Sequence, residues 1–180
     1  MKKAFLIIAS VAILVFSGSS FAAIHGTVDD REDLRPDSAS DLNSISSELA
    51  EKEQLKILLQ KLNDQDPFVR VEAVQGLGEI YQEKSLALVC GCLTDDNLYV
   101  RAYAAEALGK IGRIDISHTI SKLLPALDDP SPYVRSMMIL ALGELQDKRA
   151  IDSIRSFLHD KDQSVRGMAA WALRNIENSQ

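Results

Sequence analysis

From about residue 47 onward, apolar residues recur at spacings of three and four, the mark of helices that each bury one stripe. The stripes themselves repeat. Four segments align without gaps: DPFVRVEAVQGLGEI from Asp66, NLYVRAYAAEALGKI from Asn97, SPYVRSMMILALGEL from Ser131 and DQSVRGMAAWALRNI from Asp162. Their anchors are Val69, Val100, Val134 and Val165, each followed by Arg and separated by 31, 34 and 31 residues. Seven residues before each Val stands Leu62, Leu93, Leu127 or Leu158. Eleven before stands Leu58, Val89, Leu123 or Ile154, and fourteen before stands Leu55, Leu86, Ile120 or Ile151. Each repeat is therefore predicted to be a pair of helices, A then B, over about 50–82, 83–113, 114–147 and 148–178.

The B helices carry start signals. Asp66, Asn97, Ser131 and Asp162 stand where a side-chain oxygen can accept from a free backbone N–H in the first turn. Pro67 and Pro132 follow two of them, at the helical position where a missing N–H costs least. The core face of B reads Val69, Ala73, Leu77 and Ile80, with Val100, Ala104, Leu108 and Ile111 in the next copy. Small residues at Ala73, Ala104 and Ala169 allow close helix approach; Met138 breaks that pattern. The three extra residues of the longer spacing fall in a predicted loop from Gly112 to Ser117, and Pro125 is expected to kink or shorten the third A helix. One helix pair cannot bury its own apolar face, so the pairs must stack.

The motif D-x-x-V-R-x-x-A-x-x-A-L-G-x-I, clearest from Asn97 to Ile111, resembles the HEAT repeat. The likeness is to the short variety of about 31 residues first noted in phycobilisome lyases. The resemblance implies an all-α fold: a right-handed α-α superhelix, or solenoid, of four helix-pair repeats with the B helices lining its inner surface. It also implies that Arg70, Arg101, Arg135 and Arg166 form a structural ladder with acidic residues of the inter-helix turns. The alternative reading of that column is a basic binding stripe. Departures are Gly76, where the family usually has Ala, and Arg174, where earlier copies have Gly; Arg174 suits a terminal repeat whose outer face meets water.

Ahead of the repeats the pattern changes twice. Lys2 and Lys3 precede an apolar run from Ala4 to Phe16, broken only by Ser10, and Ser20 and Ala22 are small. The run is short of the roughly 20 residues of a stable membrane span and reads as a bacterial-type signal peptide over 1–22, cut after Ala22. The expected location is periplasmic or secreted, with no stable membrane insertion after cleavage. Residues 23–46 are polar and rich in Asp and Ser, and read as a flexible acidic leader before a HEAT-repeat domain over 47–180.

Composition is that of a globular chain, with 46% hydrophobic and 6% aromatic residues. The formal charge of −6 includes Lys2 and Lys3, so removing the signal leaves 18 basic and 26 acidic side chains. An acidic surface excludes phosphate-backbone recognition as the expected role, so no nucleic-acid partner is predicted.

Candidate chemistry is sparse. His25, His118 and His159 are scattered without metal-ligand spacing, and no catalytic residue, metal site or cofactor is predicted. Cys90 and Cys92 could cycle between thiol and disulfide. Two residues apart on a helix they diverge by about 200°, so the alternative is a half-buried small hydrophobe beside a second thiol. A stripe one residue before each anchor Val, then three and six after it, holds the residues that differ most between copies. It reads Phe68, Glu72 and Gln75; Tyr99, Tyr103 and Glu106; Tyr133, Met137 and Leu140; Ser164, Met168 and Trp171. Aromatics and Met anchor interfaces, so Tyr99, Tyr103, Tyr133, Met137, Leu140, Met168 and Trp171 are the candidate partner-binding residues. The other reading has them packed between neighbouring B helices, with Trp171 covering the last repeat. The function these features point to is a non-catalytic exported scaffold or adaptor for a protein or peptide, or a capping subunit of a larger complex. The alternative is a lyase-like or thiol-redox protein using Cys90 or Cys92. The lyase version sits badly with an export signal, because the lyases of the family it resembles work on cytosolic pigment proteins.

Overall fold

The computed structural model describes residues 39–80 and 83–179. The chain divides into two units, Met1–Asp41 and Leu42–Gln180. Of the first, only helical backbone from Ala39 is described; the signal segment 1–22 and leader residues 23–38 lie outside the described residues.

The second unit is a solenoid of helix pairs. In chain order the helices are α1 (Ala39–Leu62), α2 (Pro67–Gly78), α3 (Glu83–Gly91), α4 (Leu98–Ile111), α5 (Ile116–Ala126), α6 (Pro132–Leu145), α7 (Ile151–Ser156) and α8 (Gln163–Glu177). No strand occurs among the described residues. Helices α2, α4, α6 and α8 are the B helices and stand in a row, each packed on the next. The A helices α3 and α7 each end in a 3-10 turn, Cys92–Thr94 and Phe157–His159.

Among the described residues the first helix, α1, is already helical at Ala39, so it reaches back into the stretch expected to be a flexible leader. The Ser-rich sequence disguises it. Ser46 and Ser47 donate their hydroxyls to the carbonyls of Asn43 (3.0 Å) and Ser44 (2.8 Å), which lets polar residues sit in a helix. Lys52 and Glu48 pair at 2.9 Å across one turn. Ile45 and Leu49 are exposed.

The core runs between the A and B layers. Leu77, Val89, Leu108, Leu123, Leu142, Ile154 and Ile176 are fully buried. Each such side chain contributes about 2 kcal/mol of hydrophobic stabilisation. In the first pair Leu55, Leu62 and Ile80 are only partly buried, because this pair has a packed neighbour on one side alone among the described residues. Ala73, Ala104 and Ala169 are wholly buried, and Met138 is accommodated without exposure.

Glycine sets the spacing of the row. A methyl group on Gly143 would lie 2.6 Å from Cζ3 of Trp171 and 2.9 Å from Cβ of Ala172. A methyl on Gly78 would lie 3.0 Å from Cβ of Ala107. In the fourth copy the same column holds Arg174, which is exposed.

Asp66, Asn97 and Asp162 cap α2, α4 and α8, accepting from Phe68, Tyr99 and Ser164 N–H groups at 2.8–2.9 Å. Ser131 takes the corresponding place on α6, but its hydroxyl makes no capping bond. The stretch expected as a loop after Gly112 is a 3-10 turn, Gly112–Asp115, that runs straight into α5. Buried Thr119 closes it, donating its hydroxyl to Gly112 O (3.0 Å) and Asp115 O (2.8 Å). Pro125 lies one residue from the end of α5, which runs through it to Ala126; at 11 residues α5 is no shorter than α3 with 9 or α7 with 6, so the expected shortening does not occur.

Candidate partner-binding face

The repeated arginines bind the repeats to one another. Arg70 takes the Asp95 carboxylate in a fork, Nε to Oδ2 at 2.9 Å and Nη2 to Oδ1 at 2.7 Å, and donates to Asp64 O at 3.0 Å. Arg101 does the same with Asp129 (2.6 and 3.1 Å) and Asp95 O (2.8 Å). Arg135 repeats it with Asp160 (2.8 and 2.8 Å) and Asp129 O (2.9 Å). Each of these three arginines thus grips its own A–B turn and the carboxylate of the next. Each of those carboxylates also accepts a backbone N–H of its turn, from Asn97, Ser131 and Asp162, at 2.8 Å. The Arg135 bond, and burial against it, leave the Asp160 carboxyl below its usual range. Arg166 grips Asp160 O (2.8 Å) and Lys161 O (3.1 Å), and no carboxylate closes its other side among the described residues. These guanidinium groups are engaged within the fold, not displayed as a basic stripe.

The stripe of variable residues separates into layers. Tyr99 and Tyr133 are exposed near the N-terminal ends of α4 and α6, and Phe68 joins them from α2. Phe68 stacks on Tyr99 with ring centres 6.2 Å apart and planes at 28°; Tyr99 meets Tyr133 edge-on at 6.4 Å and 60°. Three successive B helices therefore carry one aromatic rail, which follows from each ring sitting at the second residue of its helix. Tyr103, Met137 and Met168 are half-buried against the core. Leu140 is half-buried, and Trp171 remains 40% exposed while its ring covers Gly143. Packing and exposure are combined at these positions.

Between α2 and α4 lies an open groove of about 430 Å³, lined among others by Leu58, Gln75, Gly76, Tyr103 and Ala107. Gly76 leaves room for Leu58, whose Cδ2 would stand 2.7 Å from an added methyl. Glu72, Glu79, Glu106 and Lys110 rim the groove. Glu72 pairs with Lys61 at 2.8 Å and Glu106 with Lys110 at 3.1 Å. Glu144 follows on α6; partial desolvation first, then the Glu106 carboxylate, raise its carboxyl above the usual range. Glu79, Lys110, Glu144 and Asn175 form a column ten residues after the anchor Val. The sequence stripe stopped one turn short of it, and the same periodicity carried one turn further would have found it.

Both thiols are free; Cys90 is buried and Cys92 half-buried. Burial pushes both upward, Cys92 to about 11, and Cys92 donates to Leu88 O at 3.3 Å. That is opposite to what an attacking thiolate requires. Among the described residues no three His, Cys, Asp or Glu side chains are placed to share a metal ion, and no helix is long and apolar enough to cross a membrane.

A row of helix pairs clamped by a turn-to-turn Arg–Asp ladder defines a helical-repeat protein. The chain belongs to the HEAT-repeat family, whose profile matches residues 55–117 and 120–180. It is similar to the uncharacterized phycocyanin operon protein Z of Pseudanabaena tenuis, 32% identical over an alignment 163 residues long, with 69% of this chain and 81% of that one covered. Among solved structures it is similar to human deoxyhypusine hydroxylase in complex with glycerol, with a TM-score of 0.61 and 23% identity over 74% of this chain. The match spans 46% of the hydroxylase. An engineered protein matches with a TM-score of 0.53 and 19% identity, over 77% of this chain and 66% of that one. At these identities the two structures speak for the fold alone.

Proposed function

We propose that this chain is a non-catalytic HEAT-repeat scaffold, exported to the periplasm or beyond, that holds a polypeptide segment of a partner along its row of B helices. The observation that carries the reading is the aromatic rail of Phe68, Tyr99 and Tyr133. Exposed rings held in register on three rigid helices supply contact area at little cost in side-chain entropy. Met137, Leu140, Met168 and Trp171 continue the face with adaptable apolar surface. Thiols raised by burial support a binding role over a thiol-based reaction. The signal-like sequence over 1–22 supports export.

The test is photo-crosslinking from position 103 in the native compartment, with the full chain and with a Tyr99→Ala/Tyr133→Ala double variant. Both ring positions are exposed, so the variant is expected to keep its helical circular dichroism and its melting temperature. A discrete crosslinked partner that disappears in the variant is the expected result. An unchanged partner in the variant, or no partner in any compartment, would overturn the reading.

A further inference from the structure

The face is not chemically uniform along the row. Over α2 and α4 its rim is acidic, with Glu72, Glu79 and Glu106 against Lys110. Over α6 and α8 it turns apolar, through Met137, Leu140, Met168 and Trp171. Glu144 stands at the junction of the two halves. Its carboxylate forms no ion pair among the described residues; partial desolvation and then Glu106 disfavour its ionised form, and Lys110 offsets them only in part. Glu79 is likewise exposed, with no ion-pair partner among the described residues. Glu72 and Glu106 are thus paired with Lys61 and Lys110, while Glu79 on the rim and Glu144 beyond it on α6 form no ion pair among the described residues. The groove between them has an apolar and aromatic floor: Leu58, Ala107 and Tyr103.

We infer that the occupant is an amphipathic peptide segment whose Lys or Arg side chains lie in the groove between α2 and α4, beside Glu79 and Glu106, and extend toward Glu144 on α6, and whose apolar residues lie on the Met137–Trp171 half. This deepens the binding reading above and rests on it. The argument is complementarity on both counts. A cation adds to the single charge that Lys110 supplies to Glu106 and Glu144, and meets the unpaired Glu79. Its aliphatic stem covers Leu58 and Ala107 while its head approaches the face of Tyr103. An anionic segment would add like charge to a rim that already carries it. A wholly apolar segment would bury Glu79 and Glu144 without a partner, at the cost of desolvating both.

The experiment titrates the full mature chain with three synthetic peptides of equal length that pair leucine with lysine, glutamate or serine. Trp171, the sole tryptophan of the sequence, reports binding on the apolar half by its fluorescence. The Lys/Leu peptide is expected to bind tightest, to weaken as salt rises, and to lose about tenfold in affinity with Glu106→Gln/Glu144→Gln. Thermal melts of that variant check that its fold is intact. If the Ser/Leu peptide binds as tightly, or the double variant binds the Lys/Leu peptide unchanged, the charge assignment is overturned while the binding face stands. If none of the three binds, the assignment is overturned too, and the face is judged by the crosslinking experiment, which uses no designed peptide.

Discussion

Asp160→Asn tests the ladder at its most enclosed rung. The side chains of Arg135 and Asp160 are 7% and 9% exposed, against 12% and 15% for Arg70 and Asp95. Asparagine keeps the shape, and its carbonyl oxygen can still accept from the Asp162 N–H. What disappears is the negative charge facing a guanidinium that remains enclosed. Removing one member of a buried pair costs about 3–5 kcal/mol. Arg135 retains Asp129 O and Pro130 O at 2.9 and 3.3 Å, and asparagine retains one acceptor, so about 2–3 kcal/mol is expected here. The assay is urea unfolding at pH 7 by far-ultraviolet circular dichroism, with the slope checked for loss of two-state behaviour. Asp128→Asn is the control, because Asp128 is exposed and should shift stability by less than about 0.5 kcal/mol. The pH dependence adds a second reading. A depressed folded-state carboxyl contributes stability that is present above the unfolded value of about 3.9 and is lost as pH falls through the folded value. The native chain should therefore lose this contribution in acid, and Asp160→Asn should show a shallower acid limb. A cost no larger than that of Asp128→Asn would refute the claim that the rung holds the repeats together.

Gly143→Ala should destabilise by about 1–3 kcal/mol, because the new methyl would meet Ala172 Cβ at 2.9 Å and Ala172 Cα at 3.0 Å. Gly167→Ala, where nothing stands within 4 Å of the new methyl, should stabilise by about 0.5–1 kcal/mol; melting temperatures moving in the same direction would refute the spacing argument. Cys92 should be slow to label, because with its thiol near 11 only about one thousandth is ionised at pH 8. Rapid reaction of the folded chain with a disulfide reagent would refute that.

The repeat architecture is legible in the sequence because one physical demand is made four times. Val100, Ala104, Leu108 and Ile111 must be apolar to fill the gap between layers, and their counterparts obey the same demand. The aromatic rail is legible in part. The column of Phe68, Tyr99 and Tyr133 is visible, but the choice between packing and exposure depends on how helices tilt against one another. Met137 and Met168 fall on the packed side of that choice; Tyr99 and Tyr133 fall on the exposed side. The start of α1 was hidden because Ser46 and Ser47 are poor helix formers in general, and their back-bonds to the turn show only in three dimensions. Glu144 was hidden for another reason: a lone Glu near a helix end looks like any solvated residue until Glu106 is brought beside it.

The rungs of the ladder differ in one respect. Arginine and aspartate are 25 residues apart in the first and third rungs and 28 apart in the second. All three rungs nevertheless close as a fork on a carboxylate. The added length is absorbed by the Gly112–Asp115 turn, away from the A–B turns that the rungs join. What the ladder fixes is where turns meet in space, and it is indifferent to how much chain is spent between them. A lineage of such chains can therefore drift in length at its inter-repeat links while the register of its B helices is inherited unchanged. Insertions in relatives should collect at those links, leaving the order of side chains along the row intact.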